Sequence, residues 1–407
     1  MPDVNGSQHS RKCIFCGLTE EKLRERKIAY AEGTNVIICE RCNDAVTEAL
    51  KNAQKNKQAK ISSTDFMLTL QSPESIYKKL CEFVIGQEEA AKTVAVEISN
   101  HIRRSYYGLS GKSNLFLIGP TGTGKTTLVE AICNIVKLPF VSIDVTTLTG
   151  AGYEGASVES VIKQLYLECN RSVQRTQRGI VFLDEIDKLR RCDIGNGKDV
   201  SGAVVQQSLL KMIEGTEISF KVSGGIGNTV EKDVVIDTHN ILFIASGAFV
   251  EFEDAAQSLA NGLGEYDIMA HQDYYRTLTV ADIVSYGMLP EFMGRFSQFI
   301  PLLPLEESVY KRILTEPKNS IINEFTKLIE SYGYSEVTWS EPYLDLLVMR
   351  LHDLKTGVRG IRSLLNSDLN DFLFGQTTED NATSITITPS LLGLDKLWKP
   401  KIASSNG

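Results

Sequence analysis

One short segment constrains this chain more than any other. Leu115–Ile118 is wholly apolar and runs straight into Gly119-Pro120-Thr121-Gly122-Thr123-Gly124-Lys125-Thr126, with Thr127 next and a helical apolar pattern over Thr126–Lys137. The spacing is G-x-x-x-x-G-K-T in a strand–loop–helix setting. Glycines at those places let successive backbone N–H groups converge on phosphate oxygens without side-chain obstruction. The following helix adds the positive end of its dipole. Lys125 then neutralises the β- and γ-phosphates of a nucleotide, Thr126 offers its hydroxyl to Mg²⁺, and the stretch from Gly119 to Thr127 is expected to bind ATP.

A phosphate loop of this kind needs a parallel sheet beneath it, and other apolar runs supply the strands. Phe140–Ile143, Ile180–Leu183, Ile241–Ala245 and Phe299–Leu302 are short and nearly uninterrupted, which suits strands buried on both faces. Helical patterns such as Ser157–Thr176 lie between them, so the body is α/β with a parallel sheet. The run Ile180–Leu183 ends in Asp184-Glu185. Two carboxylates at the end of a buried strand are costly unless they have partners. Asp184 is expected to hold Mg²⁺ through its water shell, and Glu185 to orient and deprotonate an attacking water. Beyond Pro304 the spacing turns helical over Ser308–Leu314, Ile321–Ile329 and Pro342–Asp353, with a short late strand expected at Ser384–Thr388.

Four of the eight cysteines form two pairs, Cys13-x-x-Cys16 and Cys39-x-x-Cys42. That pattern predicts a closed, structural four-thiolate Zn²⁺ site. A module of about 50 residues cannot build much core, and metal binding supplies the missing folding energy. Its acidic residues Glu20, Glu21, Glu40 and Glu48 favour a dimerisation or adaptor-binding platform over a DNA-binding one. The polar stretch Lys51–Ser63 reads as a linker. At 407 residues the chain is long enough for two or three domains. Its formal net charge of −8 argues against a nucleic-acid partner held by bulk electrostatics. No apolar run reaches the ~18–20 residues of a membrane span, and Met1 to Lys12 lacks the apolar core of a signal peptide. The expected location is cytoplasmic, without membrane contact.

Together these features resemble ClpX, a hexameric unfoldase family of the AAA+ superfamily. The resemblance covers nearly the whole chain. It is carried by Val84-Ile85-Gly86-Gln87, Gly119–Thr126, Arg178-Gly179-Ile180 through Asp187-Lys188, and Asp199-Val200-Ser201-Gly202 with Val204, Gln206 and Gln207. Further on come Ile213-Glu214-Gly215-Thr216, Pro290-Glu291-Phe292 with Gly294-Arg295, and Gly357-Val358-Arg359-Gly360. Ile244–Phe249 is also similar to the HslU relative, which lacks a zinc module and carries a large insertion absent here.

The resemblance implies a zinc module over 1–50, a linker over 51–72, a large ATPase domain over 73–305 and a small helical domain over 306–407. It implies that Val84 and Ile85 lie against adenine and that Lys125, Asp184 and Glu185 act with Arg295, an arginine finger reaching a neighbouring subunit's γ-phosphate. Arg359 becomes a nucleotide sensor. Tyr153 and Glu154 fall on the loop that grips substrate in the pore, with Lys198 and Asp199 on a second pore loop. The family usually has an aliphatic residue where Glu154 stands, so a weaker or altered grip is expected. Phe220–Asp233 lacks the family's Arg-Lys-His cluster. Asn261–Asp267 replaces an Ile-Gly-Phe docking tripeptide with Leu263-Gly264-Glu265, so docking to a ClpP-type peptidase is expected to be altered. The implied activity is ATP-driven threading and unfolding of protein substrates by a homo-hexamer. The alternatives are a peptidase-independent remodeller and a nucleic-acid motor.

Overall fold

The computed structural model describes residues 72–109, 111–148, 157–190, 192–194, 197–199, 201–223, 231–261, 267–318, 320–354, 360–374 and 384–394. In the N-terminal part it describes 13, 16, 18, 28–30, 37–40 and 42–44. The chain divides into two compact units, Met1–Leu70 and Gln71–Gly407. The linker expected over Lys51–Ser63 lies outside the described residues.

In the first unit β1 (Ile28–Tyr30) pairs antiparallel with β2 (Ile37–Cys39), Ile28 opposite Cys39. The described core there is small: Cys13, Ile37 and Cys39 are buried, with Cys42 packed against them.

The second unit is built on five parallel strands. These are β3 (Asn114–Ile118), β4 (Phe140–Asp144), β5 (Ile180–Asp184) and, after two hairpins, β10 (Leu242–Gly247) and β11 (Phe296–Pro301). The hairpins are β6 (Cys192–Ile194) with β7 (Gly197–Asp199), and β8 (Glu217–Ser223) with β9 (Glu231–Asp237). The sheet order is β11-β3-β10-β5-β4. Alternate side chains feed two separate cores. Leu115, Leu117, Ile180, Phe182, Leu242 and Ile244 pack on one face; Phe116, Ile118, Val181, Leu183, Phe243 and Ala245 pack on the other. Burial on both faces is why these runs read as continuous rather than alternating. A third core, from Leu314 to Ile387, is formed by helices and a parallel pair, β12 (Glu336–Trp339) with β13 (Ser384–Ile387).

Two expectations need correction. The helix expected over Ser157–Thr176 is two helices, Val158–Glu168 and Val173–Thr176. Asn170 and Arg171 adopt left-handed φ values of 52° and 61° between them, a conformation that ends a helix. The last sheet strand begins at Phe296, not Phe299, because Ser297 and Gln298 join it through a bulge against β3. Among the described residues no helix is long and apolar enough to cross a membrane.

His101, on the helix Glu88–Tyr107, is buried, and its Nε2–H donates to the Arg178 carbonyl at 3.2 Å. Burial pushes its pKa down from 6.5 to about 4. Between those values the unfolded chain binds a proton that the folded chain refuses, so stability falls as pH drops through that window. The loss is about 2 kcal/mol at pH 5. Urea unfolding of His101→Gln at pH 7 and pH 5 is expected to show a correspondingly shallower pH dependence; an unchanged dependence would rule this account out.

Candidate nucleotide site and cysteine cluster

The phosphate loop begins where β3 ends. Gly122 and Gly124 take φ values of 85° and 92°, which a side chain would resist. Gly119 is needed for a different reason: a Cβ there would lie 2.3 Å from the Leu302 carbonyl oxygen, at the end of the neighbouring β11. The Thr123 hydroxyl closes the turn by donating to Pro120 O at 2.9 Å. Lys125 opens the helix Lys125–Val136. Its ammonium is buried and donates to the carbonyls of Gly119 and Pro120 at 2.7 and 2.9 Å. A concave loop of backbone amides, a lysine and a helix N-terminus thus meet at one place.

Asp184, the last residue of β5, is the centre of the polar network beside that loop. Its Oδ2 accepts from the Thr126 hydroxyl at 2.9 Å, and its Oδ1 accepts from the Glu185 N–H at 3.0 Å and from the Ser246 hydroxyl. Three chain segments, the helix after the loop, the end of β5 and β10, therefore hold one carboxylate. Glu185 follows with φ 59° and ψ 34°. A left-handed conformation at a non-glycine residue costs on the order of 1 kcal/mol, and it turns the chain so that the Glu185 side chain stays exposed while Ile186 and Asp187 are buried. Asp187 in turn accepts from the Ala248 N–H at 3.2 Å, tying the ends of β5 and β10 together.

Beside the loop is a cleft with apolar walls. Phe83, Val84 and Ile85 form one side, and Leu305 and Ile313, from the start of the helical region, form the other. Gln87 follows on the same segment. Its side-chain amide donates to Leu303 O at 2.8 Å and to Thr123 O at 3.2 Å, and its carbonyl accepts from Leu303 N–H at 3.0 Å. The segment Val84–Gln87 therefore borders the cleft with its apolar residues and clamps the phosphate loop with its glutamine.

The structure brings together Val84, Ile85, Gly119 to Thr127, Asp184 and Glu185. It does not bring Arg295 to them. Arg295 precedes β11, level with Asn114 at the start of β3. Because β3 is five residues long, about 16 Å of strand separates that level from the loop. Tyr153, Glu154, Arg359 and residues 262–266 lie outside the described residues. Lys198 and Asp199 stand on β7, opposite Asp193 and Cys192, so the expected second loop is a hairpin. The flanks of Phe220–Asp233 likewise pair as β8 and β9. Sequence reasoning missed Ser246, Asn114 and the clamping role of Gln87. Each is a polar residue at the margin of an apolar run, the one signal that could have flagged it.

In the N-terminal unit the Sγ atoms of Cys13, Cys16, Cys39 and Cys42 all lie within 4.8 Å of one another, and those of Cys16 and Cys39 are 3.8 Å apart. A tetrahedral ion with metal–sulfur bonds of about 2.3 Å requires sulfurs about 3.8 Å apart. The Cys39 N–H points at Cys13 Sγ at 3.5 Å, an orientation that favours thiolate. Hydrogen bonding from Cys39, then burial, pushes the Cys42 thiol up to about 12; a divalent cation at the centre reverses that preference. The donor set suits zinc.

The sheet order, the loop at the end of β3 and the carboxylate at the end of β5 define a P-loop ATPase of the AAA class. In agreement, the family model described as AAA domain (Cdc48 subfamily) matches residues 110–299. The ClpX ATP-binding subunit of the ATP-dependent Clp protease from Bacteroides thetaiotaomicron is 34% identical over 384 residues, 90% of this chain and 92% of that protein. ClpX 3 from Methylococcus capsulatus is 36% identical, over 90% and 88% of the two chains. ClpX from Bacteroides fragilis is 33% identical, over 93% and 94%. The chain belongs to the ClpX family, and it hydrolyses ATP.

Two outcomes follow from this geometry. Gln87→Leu leaves the half-buried Leu303 N–H and carbonyl without their side-chain partner, which costs up to about 1–3 kcal/mol. It is expected to lower the melting temperature and weaken ATP affinity together, and a variant with both unchanged would remove the clamp. Metal analysis is expected to find one zinc per chain, lost in Cys39→Ser. Chelation is expected to abolish the N-terminal unit's protection from protease while ATP turnover persists; protection that survives chelation would refute a metal-dependent fold.

Proposed function

We propose that this chain is an ATP-driven protein unfoldase that works as a ring of six, threading protein substrates through its centre. The observation that carries the reading is the separation of Arg295 from its own phosphate loop. A cation at the opposite end of the sheet from Lys125, Thr126 and Asp184 cannot serve its own nucleotide, but it suits a site shared between adjacent subunits. Hydrolysis then depends on assembly, because the charge developing on the transferred phosphoryl group is stabilised only when a neighbour supplies Arg295.

Within one site, Lys125 and the loop amides hold the phosphates, and Val84 and Ile85 lie against the base. Thr126 and Asp184 are the residues that would hold Mg²⁺, and the ion would supply neutralisation of phosphate charge. Glu185, exposed at the end of β5, orients the attacking water and accepts its proton. Arg359 senses the nucleotide from the small domain. We take 73–305 as the large ATPase domain, 306–407 as the small domain, 51–72 as the linker and 1–50 as a zinc-binding platform for dimerisation or adaptors. Tyr153 grips the substrate in the pore, with Glu154 modifying the grip and Lys198 and Asp199 on a second loop. The setting is cytoplasmic. The relatives are named as subunits of the Clp protease, which favours a ClpP-type peptidase partner over an independent remodeller or a nucleic-acid motor, and Leu263-Gly264-Glu265 is where docking differs.

The deciding experiment follows a stable, tagged fluorescent protein with ATP, with and without a ClpP-type peptidase. ATP-dependent loss of fluorescence is expected, and none under any tested condition would overturn the reading. Glu185→Gln is expected to cut turnover at least a hundredfold while ATP stays bound; retained hydrolysis would refute the assigned base.

A further inference from the structure

The block Ile213-Glu214-Gly215-Thr216 has no part in the nucleotide site, yet its carboxylate faces Arg295, which the structure places away from that site. Glu214 is the last residue of the helix Ser201–Glu214. A carboxylate is disfavoured at a helix C-terminus, where the dipole is negative, so helix stability does not account for it. Its partner is Arg295: the guanidinium Nη2 is ion-paired with Glu214 Oε1. The two side chains are 43% and 39% exposed, and a pair that open to solvent contributes little to folding.

The groups that hold this pair are far from loose. Gly215 turns the chain at φ 115°, with the His239 ring so close that a Cβ would lie 2.5 Å from its Cδ2. The Thr216 N–H donates to Thr238 Oγ1 at 2.9 Å, and that buried hydroxyl donates to Met212 O at 2.9 Å. On the other side, buried Asn114 donates to Arg295 O at 2.9 Å and accepts from the Phe243 N–H at 3.2 Å. Both anchors are core groups, while the ion pair they carry stays at the surface. That is a costly way to build a stabilising contact and a direct way to aim a side chain.

We infer that Glu214 is a positioning residue for Arg295, holding Nη2 of its guanidinium so that the remaining donors face a nucleotide on the neighbouring subunit. This rests on the reading of Arg295 as the cation that acts across the subunit boundary. The guanidinium is a planar fork of five N–H donors. With Nη2 engaged by Glu214, Nη1 and Nε remain for phosphate oxygens, and the long side chain needs no reordering when the γ-phosphate departs. The same pairing neutralises Arg295 before assembly, so a lone subunit presents no bare cation there.

The test compares steady-state ATP hydrolysis and ring assembly for Glu214→Ala, Glu214→Gln, Arg295→Ala and the Glu214→Ala/Arg295→Ala double variant. Expected is a roughly tenfold lower kcat for Glu214→Ala with KM for ATP within about twofold and rings intact by light scattering. Glu214→Gln, which keeps an acceptor oxygen, should fall between it and the unmodified protein. In the Arg295→Ala background the Glu214 substitution should have no further effect, since coupled residues fail additivity. Unmodified kcat in both Glu214 variants, or an equal loss with Arg295 already removed, would overturn the inference. If Glu214→Ala does not assemble, an unmodified kcat in Glu214→Gln does the same. If Arg295→Ala rings turn over at the full rate, the trans role of Arg295 itself falls, a result separable from failure at Glu214 alone.

Discussion

Five parallel strands, the inner three packed on both faces, impose a polarity that the rest of the molecule follows. All the carboxyl ends lie on one side, so the loop after β3, Asp184 at the end of β5 and Ser246 at the end of β10 converge there. Ligands in open α/β sheets bind in the crevice beyond those ends. Whatever precedes a strand is carried to the opposite side, and Arg295 precedes β11. One sheet therefore carries the phosphate loop at one edge and the Arg295–Glu214 pair at the other.

The polar groups within the sheet link these two edges. Asp184 accepts from three chain segments at one end, and Asn114 bridges β10 and the start of β11 at the other. Both bonds are made by side chains at the ends of otherwise apolar runs, where a buried polar atom needs a partner. Such atoms are sparse, and each fixes a register or a functional group that hydrophobic packing alone would leave free to slide.

How far the sequence discloses this depends on range. The glycine loop, the strand-end carboxylates and the paired cysteines are local patterns, and local chemistry explains them. The interior strands were legible because double-sided burial leaves apolar runs unbroken; β11 was blurred because Ser297 and Gln298 enter it through a bulge. The break at Asn170 and Arg171 was hidden because the surrounding spacing continues in helical phase on both sides. Gln87, Asn114 and Ser246 were visible as polar residues but not as clamps. Their partners are distant in sequence: Leu303 lies 216 positions from Gln87, and Arg295 lies 181 from Asn114. A single sequence does not say which distant backbone group a buried amide meets.

The nucleotide cleft adds a mechanical consequence. One wall is Val84 and Ile85, and the other is Leu305 and Ile313, beyond the last sheet strand. Between them Gly86, at φ 80°, lets the backbone approach Val309 so closely that a Cβ would lie 2.6 Å from its Cγ1. A second tie runs from Lys318, whose ammonium pairs with Glu82 at 2.6 Å and whose N–H donates to the Glu82 carbonyl at 3.1 Å. The segment before the sheet is thus held to the helical region by close packing and an exposed ion pair, while Gln87 fastens the same segment to the phosphate loop. A ligand occupying this cleft touches the sheet and the helical region at once, so its free energy of binding depends on their mutual position. By reciprocity, that position depends on what occupies the cleft.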